Sequence, residues 1–134
     1  MWRAAVRRWA TEQGIAAGDD RGSLSLRTKV PATGRRLMVK FSTTQDLLVT
    51  GMTDEHFLGD GEMVYAVAAA NAWNATRTLP AMSVWDVRGR PFVVGVCTLP
   101  LTVRVTDEEL AALVRDWIDQ ACDMYAWCHD GFKL

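Results

Sequence analysis

Hydrophobic positions follow a helical period at both ends of the chain. Near the N terminus, Trp2, Val6 and Trp9 recur at helical spacing and Gly14 follows as a stop, which predicts a short amphipathic helix. Near the C terminus, Thr106 and Glu109 form a capping-box pattern before a longer apolar stripe. The stripe comprises Leu110, Leu113, Val114, Trp117, Ile118, Ala121, Tyr125 and Cys128. It predicts a long final helix that lies on a broad apolar surface.

Between these helices the apolar positions alternate as they do in half-buried strands. Three strands are predicted at 23–30, 36–43 and 46–53, with a turn at 31–34 and a tight hairpin at 44–45. Two more are predicted at 81–87 and 92–98, around a hairpin at Arg88–Gly89. The segment 16–22, which is rich in glycine and aspartate, is predicted to be a turn.

A second helix is predicted from about residue 61 to residue 76, with Asp60 as its N-cap. Its inner side is assigned to Met63, Val64, Val67 and either Ala70 or Asn71. The element order is then α-β-β-β-α-β-β-α. Strands separated by helices in this order predict an α+β fold, in which helices pack on a mostly antiparallel five-stranded sheet. We expect residues 1–134 to form a single domain.

Two asparagines, Asn71 and Asn74, lie on one side of the second helix. Helix propensity does not explain them, and a buried amide without partners costs about 1–3 kcal/mol. We interpret both as structural amides that bind the main chain beyond the helix end and fix how it leads into the strand after Pro80. The alternative is that Asn74 lies in an exposed, frayed last turn.

Charge is distributed unevenly along a chain whose net charge is −1. Residues 1–50 carry nine basic and four acidic side chains, whereas residues 51–134 carry six basic and twelve acidic ones. We expect the two halves to attract each other within the fold or across a dimer, and we expect no nucleic-acid site. Neither a signal peptide nor a membrane span is predicted, so the expected location is cytoplasmic, away from the membrane.

The residues that commonly carry chemistry form no recognisable site. Cys97, Cys122 and Cys128 lack the paired spacing of a zinc site or a disulfide framework. Asp54 and His56 place an acid near an imidazole, but no pocket or partner accompanies them. We therefore expect no catalytic residue, no metal site and no cofactor, and predict that the protein is not an enzyme.

An ordered set of features resembles the YbjN-domain family of candidate bacterial sensory transduction regulators. The features are Asn71, Trp73, Asn74, Pro80 before a strand, a hairpin at 88–90, the helix start Thr106, Glu108, Glu109 and Leu110, and a long last helix. The resemblance covers nearly the whole chain. It implies a fold similar to that of type III secretion chaperones, with the same element order. Chaperones of this fold are usually homodimers that bind extended partner segments and have no catalytic residues.

We therefore expect a non-enzymatic regulatory or chaperone-like protein-interaction module, a homodimer that binds an unknown protein partner. The chain has six tryptophans, a residue type enriched at interfaces. Trp73, Trp85 and Trp127 are the expected interface residues. The alternative is a domain that senses a small ligand in a pocket between the sheet and the helices.

Overall fold

The computed structural model describes all residues 1–134 as three helices and six strands. The elements are α1 (Trp2–Glu12), β1 (Ala16–Asp20), β2 (Ser23–Lys29), β3 (Arg36–Thr44), β4 (Leu47–Thr53), α2 (Glu62–Thr76), β5 (Ala81–Val87), β6 (Arg90–Pro100) and α3 (Asp107–Phe132). The strands form one antiparallel sheet in the order β1-β2-β3-β4-β6-β5. The α+β class is confirmed.

The sheet has six strands where the sequence predicts five, because β1 replaces the turn predicted at 16–22. All of its residues are exposed, so it shows no apolar alternation. Its main chain pairs with β2 from Ala16 to Asp20, and Arg3 and Arg7 bind the Asp19 carboxylate. This strand is therefore formed by main-chain pairing at the edge of the sheet. Such pairing leaves little trace in the pattern of side chains.

The core lies on one face of the sheet, beneath the helices. Alternate residues of β2, β3 and β4 are fully buried there: Leu24, Leu26, Leu37, Val39, Phe41 and Leu48. Helix α3 begins with the predicted capping box, in which the Glu109 N–H donates to Thr106 Oγ1 at 3.1 Å and the Thr106 N–H donates to Glu109 Oε1 at 3.2 Å. Its apolar stripe then runs across the sheet. None of the three helices combines the length and the apolarity needed to cross a membrane.

Tyr125 joins α3 to the middle of the sheet. Its hydroxyl oxygen lies 2.9 Å from the Met52 carbonyl oxygen on β4 and 2.7 Å from the Val93 carbonyl oxygen on β6. Burial raises the pKa of Tyr125 well above its ordinary value, so the hydroxyl keeps the proton that it donates. The contact lies where the ladder between β4 and β6 ends at the pair Met52–Gly95.

Helix α2 differs from the prediction in its start and in its buried face. The N-cap is Gly61 with φ of 84°, and no side chain caps the helix. The Asp60 cap was therefore wrong; instead the Gly59 N–H donates to the Glu62 carboxylate at 2.6 Å, and this bond lowers the pKa of Glu62. The buried face consists of Ala66, Ala69 and Trp73.

The face of α2 predicted to be buried is instead exposed. Met63, Val64 and Val67 are exposed by 40%, 73% and 47%. Because the helix is apolar around most of its circumference, periodicity could not choose a side. The alanines let the helix approach its neighbours closely, and the Trp73 indole fixes which side turns inward.

Ion pairs join the basic first part of the chain to the acidic remainder, as the charge distribution predicts. Arg8 on α1 binds Asp107 at the start of α3 at 3.2 Å. Arg35 binds the buried carboxylate of Asp54, also at 3.2 Å. The charge asymmetry is thus at least partly satisfied within one molecule.

Candidate protein-binding surface

The face of the sheet opposite the helices carries apolar side chains that no helix covers. We call this surface the open face; it comprises the outward side chains of Met38, Val49, Trp85, Val87, Phe92 and Val94. Trp85 is 45% exposed and Val87 47% exposed. Both lie on β5, and Trp85 pairs with Phe92 of β6 across the ladder. Exposed aromatic clusters of this kind are typical of binding surfaces.

The indole of Trp85 lies on Gly51 of the neighbouring strand β4. A Cβ atom at Gly51 would be 3.7 Å from the nearest carbon of the indole ring. The bare backbone therefore forms a floor on which the ring rests, and Val94 packs beside it. A Cβ atom at this position would make an ordinary van der Waals contact with the indole, whereas a longer side chain would compete with the ring for this space.

A groove of about 790 Å³ adjoins this aromatic cluster. Phe57, from the loop between β4 and α2, lies edge-on to Phe92 with ring centroids 5.9 Å apart. The Arg90 guanidinium carbon is 5.1 Å from the centroid of the Phe57 ring, a cation–π geometry. Phe57 is itself 46% exposed. The groove thus extends the apolar area beyond the edge of the sheet.

Positive charge dominates the groove. Arg36, Arg88 and Arg90 line it, and Glu55 is its one acidic residue. Arg36 lies 3.6 Å from the Glu55 carboxylate, so Arg88 and Arg90 are without an acidic partner. An apolar surface bordered by free guanidinium groups is complementary to a ligand with both apolar and acidic groups.

Asn74 binds the outer edge of β5. Its side-chain amide donates to the Met82 carbonyl oxygen at 2.9 Å, and its carbonyl oxygen accepts from the Met82 N–H at 2.8 Å. Both asparagines are exposed, but Asn71 makes no side-chain hydrogen bond. The two amides therefore differ in their contacts, because only Asn74 faces the strand that follows Pro80.

This separation leads to a testable difference between the two positions. Asn74→Ala is expected to lower the free energy of unfolding by about 1–2 kcal/mol, since two hydrogen bonds are lost. Asn71→Ala is the matched control and is expected to be neutral or stabilising by about 0.5 kcal/mol, because alanine favours helix. Urea denaturation of both variants measures the effect. Equal changes in stability would show that Asn74 holds no special position.

The three tryptophans expected at an interface occupy different environments. Trp73 is 1% exposed and belongs to the core, so no partner can reach it in the folded chain. Trp127 is half-buried and lies 5.4 Å from Trp73, centroid to centroid. Trp85 alone is widely exposed. Of these three residues, Trp85 is the one that the structure places on an open surface.

None of the three cysteines lies where its thiolate is favoured, and Asp54 does not bind the imidazole of His56. Burial raises the pKa of Cys97 and Cys128 to about 12 and that of Cys122 to about 11, so all three thiols are protonated at neutral pH. The Asp54 carboxylate binds Arg35 and accepts from the His56 main-chain N–H at 3.2 Å. It makes no hydrogen bond to the His56 imidazole, whose Nε2 lies 3.5 Å from Glu62.

Buried apolar side chains pack between the sheet and the helices. The cavity found there, beside Tyr125 and Cys128, has a volume of about 10 Å³, which barely admits one water molecule. The larger groove lies on the other side of the sheet. The geometry therefore does not favour a small-ligand pocket in the position that the sequence suggests.

A second exposed apolar surface lies on α2. We call it the α2 outer face; it comprises Met63, Val64, Tyr65 and Val67, whose exposed fractions lie between 40% and 73%. No charged residue occurs between Met63 and Thr76. A solvent-facing helix surface normally carries charges, so this uncharged face is typical of a contact between proteins.

The family model for YbjN, described as "Putative bacterial sensory transduction regulator", matches residues 3–130. The match extends over nearly all of the chain, from α1 to the last turns of α3. The chain belongs to the YbjN family. The resemblance that Asn71, Asn74 and the capped final helix suggested is confirmed.

The fold of YbjN from E. coli is similar to that of this chain. Its crystal structure, described as that of "a putative transcription regulator", superposes with a TM-score of 0.75 at 15% sequence identity. The similarity covers 96% of this chain and 91% of the E. coli chain. No curated protein sequence matches the chain. The YbjN fold is thereby established independently of the element order predicted from sequence.

Sequence patterns alone did not identify the groove of this YbjN-family chain. Phe57 is in a polar loop, and the arginines at 36, 88 and 90 are separated in sequence, so only the sheet brings them together. One signal was available. The segment 92–97 is apolar at nearly every position, which is typical of a strand with apolar contacts on both faces. That signal predicts a second apolar face on β6.

Proposed function

We propose that this chain is a non-enzymatic regulatory module that binds another protein through the open face of its sheet. The observation that carries the proposal is the pair of exposed aromatic residues Trp85 and Phe57, which lie on either side of the half-buried Phe92 beside an arginine-lined groove. Aromatic and arginine side chains are the residues that most often dominate the energy of protein interfaces. The sensory regulation described for the family fits a module that acts by binding.

The surroundings of the reactive side chains support a role without catalysis. The pKa of Cys97, Cys122 and Cys128 is raised to between about 11 and about 12, which leaves little thiolate to act as a nucleophile. Asp54 is held by Arg35 and not by an imidazole. We propose that the protein acts in the cytoplasm without a cofactor, and binds neither nucleic acid nor a membrane.

Quantitative capture from lysates of the native bacterium tests the open face. The bait proteins are the wild type, a Trp85→Ala/Phe57→Ala double variant and a Val103→Ala control. Val103 is 50% exposed but lies in the loop after β6. We expect a specific protein that the wild type and the control retain and the double variant loses. Equal recovery by all three would overturn the assignment of this surface.

We further propose that the chain forms a homodimer through the α2 outer face. Exposed alanines at 68, 72 and 75 follow the larger apolar residues toward the C-terminal end of the helix, so a second helix can approach closely without meeting a charge. A two-fold dimer brings the same surface of both subunits together. The uncharged face of α2 suits such pairing, because no like charges oppose each other.

A charge placed at the centre of this face is expected to dissociate the dimer. In Val64→Glu the two carboxylates would lie close together in an apolar contact, so we expect a monomer at micromolar concentration. Val103→Glu, on the loop after β6, is the matched control and should remain dimeric. Light scattering across a concentration series measures the mass. A wild-type protein that is monomeric throughout the series would refute the dimer.

A further inference from the structure

The outer edge of β5 is shaped to accept an additional strand. Strand β5 is the last in the sheet, and β6 pairs with it on one side only. In an antiparallel ladder, the main-chain groups of successive residues point alternately to the two sides of the strand. The N–H and the carbonyl group of Met82 point away from β6, as their hydrogen bonds to the Asn74 side chain show.

Two and four residues further along, the same outward positions recur at Val84 and Asp86. The turn at Arg88–Gly89 fixes this alternation, because a two-residue hairpin makes Val87 and Arg90 a hydrogen-bonded pair. The pairs Trp85–Phe92 and Ser83–Val94 are then also bonded. Neither a side chain nor a segment outside the ladder binds the main chain of Val84 or Asp86.

Asn74 supplies to Met82 the pair of hydrogen bonds that a neighbouring strand would make. A primary amide reproduces the donor and acceptor of one peptide group. Asn74 therefore makes the hydrogen bonds that an additional strand would make at Met82. The outward main-chain groups of Val84 and Asp86 have no such partner. The edge is protected where α2 ends and available where it adjoins the open face.

We infer that an extended acidic segment of a partner protein pairs with β5 at Val84 and Asp86 as an additional strand. The inference rests on the proposed function and specifies the partner of the same surface. Partner residues opposite Trp85 and Val87 would direct their side chains over the open face. Main-chain bonds to the edge would supply affinity, and the open face would select the side chains.

The charge of the groove selects acidic partners. Arg88 and Arg90 have no acidic partner, and the lining contains three arginines against Glu55. The neighbouring surface includes the aliphatic side chains of Met38 and Val49. The inner side of the Trp85 ring rests on Gly51, and Arg90 covers Phe57, so few ring faces remain on which nucleic-acid bases can stack. An acidic peptide with apolar side chains fits better than a nucleic acid.

The test uses a short synthetic peptide of alternating valine and glutamate with the full-length protein. Amide NMR signals of Val84 and Asp86 are followed during titration, and labelled peptide gives the affinity by fluorescence anisotropy. Three further probes are the same peptide with lysine for glutamate, the glutamate peptide with every second amide N-methylated, and a single-stranded oligonucleotide. N-methylation removes main-chain donors and keeps every side chain.

We expect the glutamate peptide to shift the signals of Val84 and Asp86, and N-methylation to weaken its binding about tenfold. Asp86→Pro, which removes one outward N–H, should weaken binding by a similar factor, whereas Asp86→Ala should not. The melting temperature of each variant checks its folding. If Asp86→Pro does not fold, the methylated and unmethylated peptides still decide the question on the wild type.

Equal binding of the methylated and unmethylated peptides would overturn the added strand. So would failure of the glutamate peptide to bind, or a preference for the lysine peptide or the oligonucleotide. The proposed function fails separately, when the Trp85→Ala/Phe57→Ala double variant retains every captured protein. Loss of a captured protein in that variant, together with no effect of N-methylation, would leave the proposed function intact and remove this inference.

Discussion

Replacing Trp73 with alanine is expected to lower the free energy of unfolding by about 3–5 kcal/mol, the range for deleting a buried aromatic side chain. Trp73 is 1% exposed, and its indole N–H donates to the Pro80 carbonyl oxygen at 2.9 Å. The ring also contacts Trp127 on α3. The substitution thus opens a cavity between two helices and leaves a buried carbonyl without its donor. Urea denaturation with a fitted m-value measures the loss.

Trp85→Ala is the matched control, since it removes the same side chain from a surface position. Trp85 is 45% exposed, so we expect a loss of about 1 kcal/mol or less. Each variant should therefore impair a different property of the protein. Trp73→Ala should lower stability, and Trp85→Ala should impair binding. Similar stability changes would contradict the placement of Trp73 in the core.

Gly95→Val is expected to destabilise the protein by about 3 kcal/mol, at the upper end for overpacking a core. A Cβ atom at Gly95 would lie 2.8 Å from Pro80 Cγ and 3.3 Å from Met124 Cε. The proline ring is rigid and β5 pairs with β6 at this point. The added atoms therefore have to push the strand or α3 away. We expect the melting temperature to fall by about 10 °C.

Gly18→Val is the control for this substitution. Gly18 is also in a strand, but a Cβ atom there would meet nothing within 4 Å. Valine favours strands, so this variant should keep or slightly raise the melting temperature. Calorimetry of the two valine variants compares them directly. A Gly95→Val protein as stable as the wild type would show that β6, Pro80 and α3 are packed more loosely than the distances indicate.

Sequence pattern predicts the elements of this fold well where side chains decide the structure. The alternation in β2, β3 and β4 and the stripe of α3 identify their buried faces, because burial requires those side chains. The capping box involves only Thr106 and Glu109, three residues apart, and can therefore be recognised from the sequence. The turn at Arg88–Gly89, with φ of 54° and 78°, follows from the glycine.

The features that the sequence did not predict depend on contacts between distant segments. Strand β1 is held by main-chain pairing, and the inward side of α2 is set by Trp73 and small alanines. The open face required the positions of three strands and the loop at Phe57 to be known together. The sequence also predicts that the side chains of both Asn71 and Asn74 bind the main chain beyond the helix. Only Asn74 does so, because the chain after Pro80 places Met82 beside it.

The two edges of the sheet differ in how readily each can pair with another chain. A sheet with two receptive edges can join others head to tail without limit, since such contacts never close. At the edge opposite β5, strand β1 has five residues and ends in Asp19 and Asp20. Short, charged edge strands resist pairing with other chains. A partner strand can therefore be added at one end of the sheet without starting a fibre from the other.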